Sequence, residues 1–249
     1  MRRAVRPRLP LPPAARCAAW LVCVVVAPGA CSPRATVDEP ARVEIPRARG
    51  VVVVDGVLDE PDWSRAPAMR LRHYLDKGDL AFNTSAKMLW SSDALYLAFD
   101  ADDDDAFSPY LKRDDPLYDG EAYEIFLDAD GDADVYVELQ SNAFDLHFDA
   151  AFAGGARKHM EVAYDVDYAT KTVVSAGRVV QEWRIPIAAV RDVPPGEPRA
   201  GAAWKANLFR LERRRQNGKV TSTEASAWSP PLTNDFHSLK RFGTLVFIE

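Results

Sequence analysis

Cysteine is almost absent from this chain, and its three residues, Cys17, Cys23 and Cys31, all lie within the first 31 positions. The rest of the chain therefore forms no disulfide bond and no thiolate zinc site. No serine lies in a nucleophile-elbow sequence, and no two carboxylates stand apart from the many others. The histidines are few and lack metal-ligand spacing: His73, His147, His159 and His237. The sequence therefore predicts no enzyme activity of its own.

Acidic residues are missing from the first 30 positions, which carry five arginines. A basic start, an apolar stretch over Cys17–Val26 and small residues just before Cys31 are typical of a bacterial lipoprotein signal. The apolar stretch is too short to span a bilayer comfortably. We therefore predict a signal peptide over residues 1–30 and lipidation of Cys31. Ordinary cleavage after Ala30, which leaves a periplasmic or secreted protein with a free thiol, is the alternative.

Loss of the leader makes the chain strongly acidic. Removing five arginines from a formal net charge of −6 leaves −11. Such a protein repels nucleic acids and anionic lipids, because both are polyanions. We therefore expect no nucleic-acid partner, and membrane contact only through the lipid anchor, at the outer membrane or facing the periplasm. The basic run Arg210–Arg215 is interpreted as a solvated strand end or loop.

Helical periodicity is also nearly absent, and only Ile187–Arg191 suits one helical turn. Residues 31–48 mix prolines with charges, which predicts a tether. Residues 49–249 alternate short segments rich in β-branched and aromatic residues with turn formers. This pattern predicts one all-β domain, a two-sheet antiparallel β-sandwich of the jelly-roll kind. The predicted strands are Val51–Val54, Ala86–Trp90, Leu95–Asp100, Ala122–Asp128, Val135–Gln140, Phe144–Asp149, Val162–Asp167, Thr172–Ser175, Val179–Pro186, Ala203–Glu212, Thr221–Trp228 and Thr244–Ile248.

Three consecutive predicted strands show the two-residue alternation that assigns side chains to the two faces of a sheet. The side predicted to face the core carries Tyr123, Ile125, Leu127, Val135, Val137, Leu139, Phe144, Leu146 and Phe148. The opposite side carries Glu124, Tyr136, Glu138, Gln140, Asp145 and His147. Such a face suits a sugar ligand, and it equally suits plain exposure to water. The tryptophans expected in the core are Trp63, Trp90, Trp183 and Trp204, whereas Trp228 has no clear assignment.

Four short motifs occur in order along the predicted domain. They are VDGVLDEPDW at 54–63, KMLW with ALYLAFD at 87–100, YDGEAYEIFLD at 118–128, and AWSP, FH and RFGTL between 227 and 245. Together they resemble the family 9 carbohydrate-binding modules, which are β-sandwich domains that dock onto sugars beside bacterial glycosidases. The resemblance runs from about Val51 to the C-terminus. It implies non-catalytic carbohydrate binding that supports glycan breakdown and uptake, with a glycosidase (a hydrolase of O-glycosyl compounds) or a transporter as partner.

The resemblance also implies a set of carbohydrate-binding residues. Two aromatic side chains sandwich a terminal sugar in the family, and the matching positions here are Tyr118 and Phe236. The family usually has tryptophan at both, so this chain offers less stacking area. The polar positions carried over are Glu124, Glu138 and Gln140. The alternative for Tyr118 and Phe236 is that they simply cover sheet edges.

Two acidic clusters suggest calcium, which binds groups of oxygen ligands and which some family members carry. The first alternates through a glycine-containing loop: Asp128, Asp130, Asp132 and Asp134. The second crowds a predicted strand end: Asp100, Asp102, Asp103, Asp104 and Asp105. The loop lacks the spacing of an EF-hand. A hairpin turn rich in Asp and Gly is the alternative.

Two other functions are compatible with the resemblance. Related sandwiches also occur as haem-binding subunits of redox systems with Met and Lys ligands, for which Met88, Met160 and Lys158 are available, although Met88 beside Trp90 is better explained as a core residue. An envelope interaction protein that has kept the fold and lost the sugar site is the other. No cofactor besides calcium is expected for the carbohydrate-binding function.

Overall fold

The computed structural model describes residues 39–249. The predicted signal peptide, Cys31 and the first part of the predicted tether lie outside these residues. The described strands are β1 (Arg42–Pro46), β2 (Met69–Arg70), β3 (Arg72–His73), β4 (Thr84–Trp90), β5 (Ala94–Asp102), β6 (Ala122–Asp128), β7 (Tyr136–Ser141), β8 (His147–Ala153), β9 (His159–Glu161), β10 (Ala169–Ser175), β11 (Arg178–Pro186), β12 (Ala203–Gln216), β13 (Lys219–Ala227) and β14 (Gly243–Ile248). Four short 3-10 helices complete the described elements: Pro61–Ser64, Leu117–Asp119, Ile187–Ala189 and Leu239–Arg241. None of them is long and apolar enough to cross a membrane.

The strands form two sheets, as the sequence predicts. The larger sheet has the order β1-β14-β12-β6-β7-β8-β9, and β13 and β3 extend it beyond the second half of β12. The smaller sheet has the order β10-β11-β5-β4-β2. Neighbouring strands are antiparallel except for β1, which pairs in parallel with β14. The predicted all-β sandwich is therefore confirmed, with one parallel pair at the edge of the larger sheet.

The main core lies between the two sheets. Alternate residues of β6, namely Tyr123, Ile125 and Leu127, point into it as predicted. Three of the four tryptophans expected in the core lie there, and Trp228 joins them. Trp63 is also buried, but in a separate cluster on the outside of the smaller sheet. Each buried large side chain contributes roughly 1.5–3 kcal/mol through the removal of apolar surface from water. This core fixes which face of β6 is left for the outside of the sandwich.

Both sheets are also covered on their outer faces. The segment before β2 lies over the smaller sheet, where Trp63 Nε1 donates to the Glu182 carboxylate at 3.0 Å and Gly56 N donates at 2.8 Å. Gly56 has φ +85°, and a Cβ there would meet Val173 at 2.7 Å, so the first sequence motif needs this glycine. The larger sheet carries a second apolar cluster on its outside: Leu117, Ala122, Phe126, Tyr136, Phe148, Ala150, Phe152, Phe209, Ala227 and Phe242.

Several predicted boundaries are wrong. Arg42–Pro46 is a strand, so the sheet begins inside the predicted tether of residues 31–48. Val51–Val54 is not a strand, because this segment covers the smaller sheet instead of joining one. No strand is formed at 162–167 either, where the short β9 precedes a turn. The third predicted strand of the meander begins at His147 instead of Phe144, because 142–145 forms a turn with Asp145 at φ +57°.

Candidate functional site

A cavity of about 540 Å³ opens on the outer face of the larger sheet. Its floor comes from β6, β7 and β8, where register places Glu124 opposite Gln140, Phe126 opposite Glu138, and Tyr136 opposite Phe152. These pairs share one face because side chains of paired strands alternate together. Loops supply the walls. The residues that line the cavity are Tyr118, Glu124, Phe126, Glu138, Phe152, Arg157, Met160, Leu211, Asn234, Phe236 and His237.

The two predicted clamp rings both border this cavity. Tyr118 is 42% exposed on the 3-10 helix Leu117–Asp119, and its ring meets Phe148 edge-on at 5.4 Å between centroids. Phe236 lies flat on Phe209, with centroids 4.3 Å apart and planes 3° from parallel. One face of Phe236 is therefore already covered, and Tyr74 contacts the ring at 5.9 Å between centroids, so only the remaining surface can contact a ligand. The structure thus brings the two rings to one site, but Tyr118 exposes more of its ring to a ligand than the stacked Phe236 does.

Two carboxylates lie at the floor of the cavity. Glu124 is 1% exposed and Glu138 is 5% exposed, although both border an open cavity. Gln140 donates a short hydrogen bond to Glu138 Oε1. Among the described residues, Glu124 Oε1 has no hydrogen-bond partner. A buried acceptor without a donor costs about 1–3 kcal/mol, so this atom is a favourable place for a donor from a ligand.

Burial changes the protonation of these groups. Desolvation, followed by the negative charge of Glu138, raises the pKa of Glu124 well above its ordinary value. Desolvation also raises the pKa of Glu138, and the hydrogen bond from Gln140 opposes this change. Desolvation lowers the pKa of His237 to about 4, so its ring is neutral at neutral pH. The two carboxyl groups therefore share a site in which full ionisation of both is unfavourable.

Neighbouring side chains hold this floor in place. The hydroxyl of Tyr136 lies 2.7 Å from His237 Nδ1, and Phe126 meets the same imidazole edge-on at 5.1 Å. His237 Nε2 is 3.8 Å from Glu138 Oε2. Arg157 is exposed and lies 3.4 Å from Asp235. The cavity thus has a rigid aromatic floor and one exposed cation at its wall.

Four of the five residues predicted to bind carbohydrate border this cavity. Tyr118, Glu124, Glu138 and Phe236 border the cavity, whereas Gln140 is fully buried beneath it and positions Glu138. Whether any of them binds a sugar stays a prediction. Met88, considered as a haem ligand, is fully buried in the core as expected, whereas Met160 is at the cavity wall.

Asp145 and His147 do not belong to this face, contrary to the prediction. Asp145 accepts from Thr172 Oγ1 at 2.6 Å, and His147 Nε2 lies 2.8 Å from Thr170, both on β10. Because Gln140 of β7 pairs with Phe148 and Tyr136 pairs with Phe152, the site face receives Phe148 and Phe152, and the prediction that Phe148 faces the core is wrong. Alternation from Glu124 predicts Phe126, and the FH motif contains His237 beside Phe236. No sequence signal identified the other two loop residues of the walls, Arg157 and Asn234.

Three of the four loop aspartates form an acidic triad. Oxygen atoms of Asp128, Asp130 and Asp132 lie within 4.8 Å of one another, whereas Asp134 is not part of this group. Asp128 accepts hydrogen bonds from Gly131 N at 2.8 Å and Ala133 N at 3.2 Å. Burial, with the charge of Asp130, raises the pKa of Asp128 to about 6. Three hard oxygen ligands suit a calcium ion chemically.

Four of the five aspartates in the second acidic cluster pair with arginines, three of which belong to the basic run, whereas the Asp102 carboxylate accepts from Asn83. Asp100 pairs with Arg178 at 2.6 Å. The other three pairs are Asp103–Arg210 at 3.2 Å, Asp104–Arg214 at 3.8 Å and Asp105–Arg215 at 2.6 Å. Arg210 is 2% exposed, so the prediction of a solvated basic run is wrong for this residue. In these pairs the arginines supply the positive charge that a calcium ion was expected to provide.

The fold and the cavity define a β-sandwich domain with an aromatic-lined site on the outside of its larger sheet. Residues 54–249 match the family model described as carbohydrate family 9 binding domain-like, and the chain belongs to this family. This match confirms the resemblance inferred from the four motifs. No curated protein matches the chain in sequence.

Solved structures with the same fold include family 9 carbohydrate-binding modules from Caldicellulosiruptor kristjanssonii. One, in complex with cellotriose, has a TM-score of 0.60 and 18% identity over 83% of this chain and 93% of that one. Another, in complex with glucose, has a TM-score of 0.58 and 17% identity over 82% and 95%. A protein from Bacteroides uniformis has a TM-score of 0.66 and 14% identity over 84% and 100%.

The raised pKa of Glu138 predicts that stability falls as the pH rises. The folded state holds this proton more tightly than the unfolded chain, so the contribution is fully present below 4.5 and is lost as the pH rises through about 7. Glu138→Gln keeps an acceptor for Gln140 and cannot ionise. Between about pH 5 and pH 8, the wild type should lose on the order of 1–3 kcal/mol more unfolding free energy than this variant, as measured by urea denaturation.

The control is Glu161→Gln, which removes the same charge from an exposed position on β9. It should leave the pH dependence of the wild type unchanged. Parallel curves for the wild type and Glu138→Gln would show that Glu138 does not hold a proton in the way its burial requires.

Proposed function

We propose that this domain binds carbohydrate without catalysing a reaction on it. The observation that supports this most strongly is the unpartnered, buried oxygen of Glu124 in a cavity bordered by Tyr118 and Phe236. Sugars present hydroxyl donors together with a flat C–H face, which aromatic rings and carboxylates bind in combination. Family membership and the sugar complexes of structurally similar modules favour the same function.

The proposal includes a role beside glycan breakdown or uptake, with a glycosidase or a transporter as partner. A haem-binding function has less support, because Met88 is fully buried in the core, which leaves only Met160 and Lys158 of the three considered ligands. The alternative is an interaction protein that has lost the sugar site. It is favoured by the two clamp positions, which carry Tyr118 and Phe236 where the family usually has tryptophan. Binding measurements separate it from the proposal.

The first test of carbohydrate binding is the substitution Tyr118→Ala. Its ring is 42% exposed and contributes little to the core, so stability should change by less than about 1 kcal/mol. Loss of the stacking surface should weaken binding at least about tenfold. Isothermal titration calorimetry with glucose and with cello-oligosaccharides measures this change.

The control for this test is Phe144→Ala, which removes a 57% exposed ring that does not border the cavity. It should bind like the wild type. If the wild type binds no mono- or oligosaccharide, or if Tyr118→Ala binds as well as Phe144→Ala, the site is not a sugar clamp.

We further propose that the triad Asp128, Asp130 and Asp132 holds a calcium ion. An ion bound only by the folded state stabilises it by mass action, roughly 2.7 kcal/mol at a free concentration one hundred times Kd. Chelation should therefore lower the melting temperature, and Asp130→Asn should remove the response. Asp134→Asn, outside the triad, is the matched control. A melting temperature that neither chelator nor calcium changes would leave the loop as an acidic turn.

We also propose that the protein is anchored at the bacterial envelope through lipid on Cys31. The proposal rests on the basic leader, the apolar stretch and the small residues before this cysteine. Cys31→Ala should leave the protein unprocessed or move it from the membrane to the soluble fraction, as followed by fractionation and mass spectrometry. An unmodified Cys31 in the mature wild-type protein would contradict the anchor.

A further inference from the structure

Two buried carboxyl groups lie together at the floor of the cavity. Glu124 and Glu138 are both at least 95% buried and lie on adjacent strands. Because Glu124 is opposite Gln140, the two glutamates are diagonal neighbours, with Cα atoms about 7–8 Å apart. Their carboxyl groups therefore project into one small volume. Each ionised carboxylate there raises the cost of ionising the other.

Among the described residues that line the cavity, the cationic side chain is Arg157. Its charge lowers the pKa of both glutamates, but it is 59% exposed and its ion pair is with Asp235 and not with either glutamate. His237, the other basic group facing Glu138, is kept neutral by burial, which lowers its pKa to about 4. Tyr136 faces His237 and carries no charge. The floor thus has an excess of buried acid over nearby base.

The hydrogen bonding of the two glutamates is also incomplete. Gln140 donates to Glu138, and Glu124 Oε1 has no donor among residues 39–249. A group that fills this position must donate hydrogen bonds. A positive charge on the same group would in addition offset the repulsion within the pair. An ammonium has three donors and a charge, whereas a hydroxyl has one donor and no charge.

The surrounding rings favour a cation as well. Phe126, Phe152 and Phe236 border the same cavity, with Tyr118 at its mouth. The faces of aromatic rings attract cations, most strongly where water is excluded. Two ionisable carboxyl groups enclosed by rings therefore form a site for a positive group carried on a partly apolar ligand.

We propose that this cavity binds a saccharide with a free amino group, whose ammonium is held between Glu124 and Glu138. The inference rests on the proposed carbohydrate function and specifies its substrate class. The sugar ring occupies the space toward Tyr118 and Phe236, and the ammonium donates to the unpartnered oxygen of Glu124. N-acetylation of the amine removes both the charge and two of its donors, so an acetylated amino sugar does not fit this floor in the same way.

The test compares three monosaccharides by calorimetry: glucosamine, glucose and N-acetylglucosamine. The pH is kept below about 7, where the amine is charged. Charge-assisted hydrogen bonds in a desolvated site predict that glucosamine binds about 10- to 100-fold more tightly than glucose. N-acetylglucosamine should bind no better than glucose. The cation should also displace a proton from the glutamate pair, so repeating the titration in buffers of different ionisation heat should show proton release for glucosamine only.

Glu124→Gln separates the charge from the shape of the site. It keeps a carbonyl acceptor but removes the charge, so binding of both sugars should weaken, and the preference for glucosamine over glucose should fall at least about tenfold. Glu161→Gln, which removes an exposed charge outside this cavity, should keep the preference. A general effect of net charge would move both variants equally and would overturn the inference.

The remaining outcomes distinguish this inference from the function on which it rests. If glucose binds as tightly as glucosamine, and Tyr118→Ala weakens both, the carbohydrate function stands and the amino-sugar inference is wrong. If glucosamine binds with no proton release, the ammonium does not contact the glutamate pair, and the inference is again wrong. If none of the sugars binds, the proposed function fails together with it.

Discussion

The burial of both faces of the larger sheet is the constraint on which the site depends. Strand β6 points Ile125 into the core between the sheets and Phe126 into the apolar cluster on the outside. Glu124 shares the outer face with Phe126 and is therefore surrounded by rings instead of water. Desolvation of this one carboxyl group raises its pKa and leaves one of its oxygens without a donor. An ordinary sandwich with a solvated outer face would have neither property.

Loops bury the outer face of the larger sheet, but they do not cover it completely. Phe236 stacks on Phe209 of β12, and Tyr118 meets Phe148 of β8, so two separate segments reach the sheet on either side of Glu124. The cavity is the gap that they leave. Its energetic cost is concentrated in the acidic floor, where a buried acceptor and two nearby carboxyl groups are unfavourable without a ligand. A ligand that donates a hydrogen bond to the floor would remove this unfavourable free energy, and that gain would contribute to its affinity.

Sequence alternation identified the parts of the site that regular strands carry. The bounds of β6 were predicted correctly, and Glu124 and Glu138 follow from its parity and that of β7. The face of β8 was not predictable, because a two-residue alternation fits either face. Only the turn at 142–145 sets the register in which Gln140 lies opposite Phe148. The burial of the outer face was missed as well. This burial depends on loops that are distant in sequence, and their sequences show no periodic pattern that would predict where they pack.

We propose that Glu124 holds a polar group of a sugar between aromatic walls. A crystal structure of the protein soaked with glucosamine tests this most directly. We expect the pyranose ring against Tyr118 and Phe236, with the amine nitrogen about 3 Å from a Glu124 oxygen. A sugar bound elsewhere on the surface, or one in the cavity whose amine points away from both glutamates, would contradict it.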